Sequence, residues 1–157
     1  MTTLDPTLVA FVKKEEGFTP VAKWDYQQYT NGYGTRAHYP HEPISRAEAE
    51  RRLDIELSAA QASVEHFAPN APAGVKNALT DLTFNGGSAW QHAGLGDEVR
   101  DGNWAEARVH LLQYDRAGGR VNSGLEARRE AEASWFPKQQ TAAADEPTQQ
   151  SPQDVPA

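Results

Sequence analysis

The chain contains no cysteine, which excludes disulfides, thiol nucleophiles and thiolate metal sites and allows folding in a reducing compartment. It also lacks an excess of positive charge. Fifteen Lys and Arg stand against 22 Asp and Glu, giving a net charge of −7, poor material for binding phosphates, so a nucleic-acid partner is not expected. No apolar run approaches the roughly 20 residues that span a bilayer. The apolar run nearest the N-terminus, Leu8 to Val12, is too short for a signal-peptide core and follows Asp5 where a basic region would stand. Stable membrane insertion and a signal peptide are therefore not expected. The five histidines, at 38, 41, 66, 92 and 110, form no His-Glu-x-x-His pattern, and no Gly-x-Ser-x-Gly occurs. His38 and His41 lie three apart in a proline-rich loop, which is too little for a metal site, so no metal and no cofactor are implied.

What is present supports a folded body with a polar tail. Of the 157 residues 38% are hydrophobic, enough for one domain with a core or for two small lobes. Beyond Pro137 the chain has no aromatic residue, and its single large aliphatic is Val155. Such a segment cannot bury enough surface to offset its ordering entropy, so residues 137–157 are expected to form a disordered Pro/Gln-rich tail. Lys138 against Asp145, Glu146 and Asp154 sets those 21 residues at −2 and the rest at −5.

Asp5-Pro6 reads as an N-cap followed by proline at the first helical position, and Gly17 fits the far end, which predicts a helix over 6–16. From Phe18 to Gly34 strand formers dominate. A twisted two-stranded hairpin is expected there, turning at Gln27-Gln28, with Pro20 confining the first strand to an edge or a late start. Residues 35–44 read as loop. Ser45 with Glu48 is a capping box opening a long helix over 46–67, with Leu53, Leu57, Ala60, Val64 and Phe67 on its apolar face. Its Glu50, Arg51, Arg52, Asp54 and Glu56 read as a solvated face. Further helices are expected over 72–84 (the most apolar, and so the central one), 88–101 with Gly94 and Gly96 interrupting its start, from Asn103 to about 115, and over 124–136 behind a Ser123 cap. The fold class is α+β and mainly α. A single domain over 1–136 is expected, with a β lobe at about 17–44 and a helical lobe at about 45–136 plus the first helix. A substrate site is expected in a cleft between the lobes.

The segment 16–34 carries the chemistry. Glu16 ends the first helix, Asp25 follows between Trp24 and Tyr26, and Thr30 precedes Asn31-Gly32-Tyr33-Gly34. Two carboxyls in different surroundings plus a hydroxyl that can hold a water meet the needs of acid/base hydrolysis of a glycosidic bond. A carboxyl at a helix C-terminus faces the negative end of the helix dipole, a setting suited to an acid that must hold its proton before donating it. Each residue has a plainer reading. Glu15-Glu16 can be a solvated helix end, Asp25 a turn cap, and Thr30 an ordinary strand residue. The four tryptophans are more often core than sugar platforms, and Trp24 is the one its neighbours would place near a site.

The order of these pieces is more specific than any one of them. The chain resembles the phage lysozymes (endolysins) of the T4-lysozyme type, glycoside hydrolase family 24. Phe11 to Phe18 is similar to that family's helix ending in Glu-Gly, and Tyr29 to Gly34 to its strand bearing Thr and Gly-aromatic-Gly. Ala78-Leu79 through Phe84-Asn85-Gly86-Gly87 is similar to its central helix and the turn after it. Gly118-Gly119 followed by Gly124-Leu125-Glu126-Ala127-Arg128-Arg129-Glu130-Ala131-Glu132 is similar to its C-terminal signature. The resemblance covers about residues 6–136.

It implies a lysozyme-like fold and cleavage of the β-1,4 bond between N-acetylmuramic acid and N-acetylglucosamine in peptidoglycan during bacterial lysis. Glu16 would be the general acid, Asp25 the second carboxylate and Thr30 the third catalytic-site residue. Arg128 would be the arginine that pairs with the acid, and Trp24 and Tyr33 would bind substrate or support the site. The expected partner is the peptidoglycan glycan strand. The protein is expected to be a monomer made in the host cytoplasm, with holin-type release to the wall. The family more often has five residues between the second acid and the threonine, and four stand here, so the Gln27-Gln28 turn is expected to absorb the difference. Thr35 stands where a histidine commonly follows the last glycine. The competing readings are a lytic transglycosylase acting on the same bond and a wall-binding module without catalysis.

Overall fold

The computed structural model describes residues 3–138. The expectation for the tail falls on 137–157, of which 139–157 lie outside the described residues. Chain contacts divide the rest into two compact units, with the division between Ser63 and Val64.

The first unit opens with α1, Pro6–Glu16, bounded as the sequence predicts. The Thr7 N–H donates to Asp5 Oδ1 at 2.8 Å, and the Gly17 N–H caps the Lys13 carbonyl at 2.9 Å. Leu8 and Val12, a turn apart, are the buried pair of this helix. An antiparallel sheet of β1 (Thr19–Trp24), β2 (Tyr29–Gly32) and β3 (Thr35–Arg36) follows, in the order β1-β2-β3. The expected hairpin is thus a three-stranded sheet. The loop assigned to 35–44 supplies β3 and a further bridge, Val21 to Pro43. The cause is Asn31-Gly32-Tyr33-Gly34, which reverses the chain tightly: the Gly34 N–H donates to the Asn31 carbonyl at 3.1 Å and Asn31 pairs with Thr35. Pro20 neither delays nor ends β1. Thr19 pairs with Gly32 and Lys23 with Thr30, so β1 bulges between them. The bulged stretch turns its backbone to the following segment, where the Ala22 N–H donates to the Glu42 carbonyl and the Pro20 carbonyl accepts from Ile44 N–H, both at 2.9 Å.

The long helix α2, Arg46–Phe67, matches its predicted bounds. Only half of the capping box forms. The Glu48 N–H donates to Ser45 Oγ at 3.1 Å, but the Glu48 carboxylate turns to Arg51 and Arg52. Those arginines, Arg51 first, hold the Glu48 carboxyl down to about 2. Leu53, Leu57 and Ala60 are buried as expected. Arg52 departs from the solvated face. Its guanidinium bonds Glu42 through Nη1 (3.0 Å) and Nη2 (2.8 Å) as well as Glu48 through Nε (2.9 Å), and its side chain is 10% exposed.

The second unit holds the end of α2, then α3 (Ala73–Gly86), a 3-10 turn at Ala89–His92, α4 (Gly94–Arg100), α5 (Trp104–Leu112) and α6 (Ser123–Ala133). The expected helix over 88–101 is therefore two pieces, broken at the extended residue Ala93, with Gly94 and Gly96 inside the second piece. The pair β4 (Arg116–Ala117) and β5 (Arg120–Val121), which turns at Gly118-Gly119, was not anticipated from sequence. The cap of α6 is Asn122 rather than Ser123, with Asn122 Oδ1 accepting from Leu125 N–H at 2.9 Å. The core packs Val64, Val75, Leu79, Leu82, Trp90, Leu95, Val99, Leu111 and Phe136. Trp90 satisfies its indole N–H on Thr83 Oγ1 at 2.9 Å.

The central helix α3 is buried on most sides, and it carries a charge inside. Asp81, 0% exposed, accepts from Arg128 Nε (2.8 Å) and Nη2 (2.7 Å). Arg129 bonds Glu132 at 2.8 Å and Asn85 at 2.9 Å. Burial pushes the Asp81 carboxyl upward, but the Arg128 hydrogen bonds and the Glu132 proton outweigh it and leave it below its ordinary value. Burial, with the Asp81 carboxylate beside it, pushes Glu132 up to about 10. Glu132 is thus a neutral acid at pH 7. A carboxyl protonated in the folded chain but ionised in the unfolded one contributes full stability below about 4.5 and loses it progressively as pH rises towards 10. Glu132→Gln, which cannot ionise, is expected to flatten the fall in melting temperature between pH 5 and 9, and thermal melts of both proteins across that range measure it.

Candidate active site

All three residues assigned to catalysis lie in the first unit, on elements the local sequence shapes. Glu16 is the last residue of α1, and Gly17, at φ +68°, turns the chain away immediately after it. The half-buried Glu16 carboxyl lies against the turn that joins β2 and β3. A Cβ built on Gly34, at φ +85°, would sit 2.5 Å from Glu16 Oε1. A side chain there would push the flexible carboxyl aside, and glycine adopts that backbone without strain. Tyr33, between the two glycines, is 5% exposed. Its ring meets Phe18 edge-on at 5.6 Å, Lys13 Nζ lies 5.4 Å from its centroid, and its hydroxyl accepts from Arg46 Nη1 at 3.4 Å. Lys13 and Phe18 flank Glu16 in the chain, so Tyr33 fixes the end of α1 against the turn as a packed support.

Asp25 opens the turn between β1 and β2. The Asp25 N–H donates to the Gln28 carbonyl at 2.9 Å, and Asp25 Oδ1 accepts from the N–H groups of Gln28 (3.1 Å) and Gln27 (3.3 Å). The turn-capping reading of this residue is therefore real. Both bonds fall on Oδ1; Oδ2 makes none among the described residues. The side chain is exposed, so its carboxylate is anchored by the backbone and open to solvent. Tyr26 follows at φ +88°, 94% exposed, so the four-residue turn is closed with a non-glycine residue in the left-handed region. Trp24 pairs directly with Tyr29, and the shortened interval between Asp25 and Thr30 is contained in this turn.

Thr30 pairs with Lys23 on one side and with Arg36 on the other. Residues directly opposite in an antiparallel ladder project to the same face, so these three form one row across the sheet. Alternation puts Trp24 and Tyr29 on the other face. There the Trp24 ring, 60% exposed, meets Tyr29 edge-on at 5.4 Å, and Tyr29 meets His41 at 5.9 Å. The sheet thus separates Trp24 from Thr30. Arg128 lies in the second unit, 5% exposed, with its guanidinium on Asp81.

Sequence reasoning missed the residues that hold this sheet in place. Asn31, 0% exposed, donates through Nδ2 to the Glu42 carbonyl (3.1 Å) and to Glu42 Oε1 (3.2 Å). The Glu42 carboxylate also accepts from His38 N–H at 2.9 Å and from Arg52. Arg52 first, then the His38 N–H, holds the Glu42 carboxyl down to about 2. The available signal was weak: Arg52 follows Glu48 by four residues, and Glu42 is an acid between two prolines.

The phage lysozyme family model matches residues 13–132, and the chain belongs to that family. Among solved structures it is similar to the muramidase domain of SpmX from Asticaccaulis excentricus, with TM-score 0.76 and 21% identity over 87% of this chain and 98% of that one. It is likewise similar to the endolysin from Escherichia coli O157:H7 phage FAHEc1, with TM-score 0.75 and 23% identity over 85% and 92% of the two chains. The active form of the P1 phage endolysin Lyz matches with TM-score 0.73 and 17% identity, covering 83% of each chain. No curated protein matches the chain in sequence. The fold is lysozyme-like, and the protein is a peptidoglycan hydrolase of the lysozyme type.

Gly34→Ala tests the geometry at Glu16. The added methyl must displace the carboxyl, and the left-handed backbone adds strain of about 1–3 kcal/mol. The variant is expected to melt lower and to lose most of its lytic rate, as measured by thermal melts and by clearance of permeabilised cells.

Proposed function

We propose that the protein is an N-acetylmuramidase that hydrolyses the β-1,4 bond between N-acetylmuramic acid and N-acetylglucosamine and acts in bacterial cell lysis. Glu16 protonates the glycosidic oxygen. Asp25 stabilises positive charge at the sugar carbon or activates water, and the Thr30 hydroxyl orients that water. The observation that carries this reading is the Glu16 carboxyl seated on side-chain-free Gly34, in the same unit as Asp25 and Thr30. An acid so placed has backbone on one side, and proton donation to one oxygen requires such a defined approach. Access to the wall after synthesis in the host would come by holin-type release.

The test is clearance of outer-membrane-permeabilised bacteria, with analysis of the fragments released. Glu16→Gln is expected to slow clearance by about 100-fold or more. Asp25→Asn keeps an oxygen for the turn and loses the charge, so it is expected to slow clearance while leaving the melting temperature in place. Mass spectrometry of digested peptidoglycan is expected to find reducing-end muramic acid. Fragments ending in 1,6-anhydro-muramic acid would establish a lytic transglycosylase instead, and equal clearance by wild type and Glu16→Gln would leave a wall-binding module.

A further inference from the structure

The row Lys23–Thr30–Arg36 sets two cations on either side of the Thr30 hydroxyl. Directly paired positions place Cβ atoms about 5 Å apart, so the two arms start on either side of Thr30 and are long enough to extend over it. Both residues are exposed, and neither side chain makes an ion pair or hydrogen bond among the described residues. Of the other Lys and Arg side chains of this unit, three are neutralised, while Lys14 and Arg46 form no ion pair among the described residues. Lys13 pairs with Glu50, Arg51 with Glu48, and Arg52 with Glu42 and Glu48. The carboxylate that touches this row, Glu56, accepts the Arg36 backbone N–H and forms no ion pair with its guanidinium. In a chain of net charge −7, two unneutralised cations beside one hydroxyl are a local reversal of sign.

We propose that Lys23 and Arg36 form an anion subsite that binds a free carboxylate of the peptidoglycan stem peptide and so places the glycan strand over Thr30. The inference rests on the muramidase reading and deepens it. A glycan of neutral sugars offers these cations nothing, whereas a wall strand carries peptide carboxylates at regular intervals. Charge complementarity selects the carboxylate-bearing strand, and the planar guanidinium of Arg36 suits two-point contact with it. Lys23 and Arg36 act here as binding and positioning residues; neither takes part in proton transfer.

Binding is measured with the Glu16→Gln protein on purified Gram-negative sacculi, which lack teichoic acid, so that cleavage does not enter the readout. Lys23→Gln and Arg36→Gln are each expected to weaken binding roughly two- to fivefold, as for exposed ion pairs, with a larger loss for the double variant and only partial recovery in Arg36→Lys, which keeps the charge but loses the planar two-point contact. Lys14→Gln changes net charge equally, on an exposed residue of α1, and is expected to have no effect. Sacculi whose carboxyls are blocked by amidation are expected to bind the unsubstituted row no better than the double variant. In otherwise active protein, Lys23→Gln is expected to raise KM with kcat little changed. Undiminished binding by the double variant, an equal loss in Lys14→Gln, or full affinity for amidated sacculi would overturn the subsite while leaving the muramidase reading intact. Absence of hydrolysis by the wild-type protein would instead overturn both.

Discussion

The first unit depends on one buried carboxylate. Glu42 sits in the loop after β3, 7% exposed, and accepts hydrogen bonds from a strand (Asn31), from its own loop (His38 N–H) and from α2 (Arg52). A buried charge must be paired and hydrogen-bonded to be tolerated, and removing one partner strands the rest. The same cluster therefore fixes three elements at once. Asn31 lies beside Thr30 and begins the turn that carries Gly34 to Glu16. The position of the Thr30 hydroxyl and the clearance at Gly34 for the Glu16 carboxyl thus both trace to an interaction made on the far side of the sheet from Thr30.

The second unit has a matching device with a different balance. Asp81 on α3 remains charged because Arg128 gives it two hydrogen bonds, whereas Glu132 close by is kept neutral by burial. Two acids in one interior pocket cannot both ionise cheaply, and the one with the better cationic contact keeps the charge. This ties α3 to α6, and glycine at position 74 lets the start of α3 approach the chain just after α6, since a Cβ there would overlap the Trp135 carbonyl. Arg128 has a structural task in this network that its place in a C-terminal signature does not disclose.

Local chemistry was legible in the sequence wherever one residue determines the backbone. Asp5, Pro6 and Gly17 bound α1 to the residue, because a cap, a proline and a glycine act within four positions. The order of Glu16, Asp25 and Thr30 was enough to propose them as a constellation, whereas the close approach of Glu16 to Gly34 emerges only from the folded chain. What sequence did not yield depends on pairing across the chain. β3 is two residues long, too short for a period-two pattern, and exists because the turn before it reverses the strand. Arg52 looks like any charged residue on a helix until Glu42 is brought beneath it from ten residues upstream. Trp24 adjoins Asp25 in sequence, but alternation sends its ring to the face opposite Thr30, which neighbours in sequence cannot reveal without the register.

The bulge in β1 has a consequence for how these molecules treat one another. An outermost strand with unpaired amides is a template on which a second chain can lay its own backbone. Here the Ala22 N–H and the Pro20 carbonyl are already occupied by Glu42 and Ile44, Pro20 has no N–H to offer, and at the opposite border β3 spans two residues. The sheet therefore presents little continuous ladder for a stranger to extend. Copies of this protein are thereby protected against self-templated clumping.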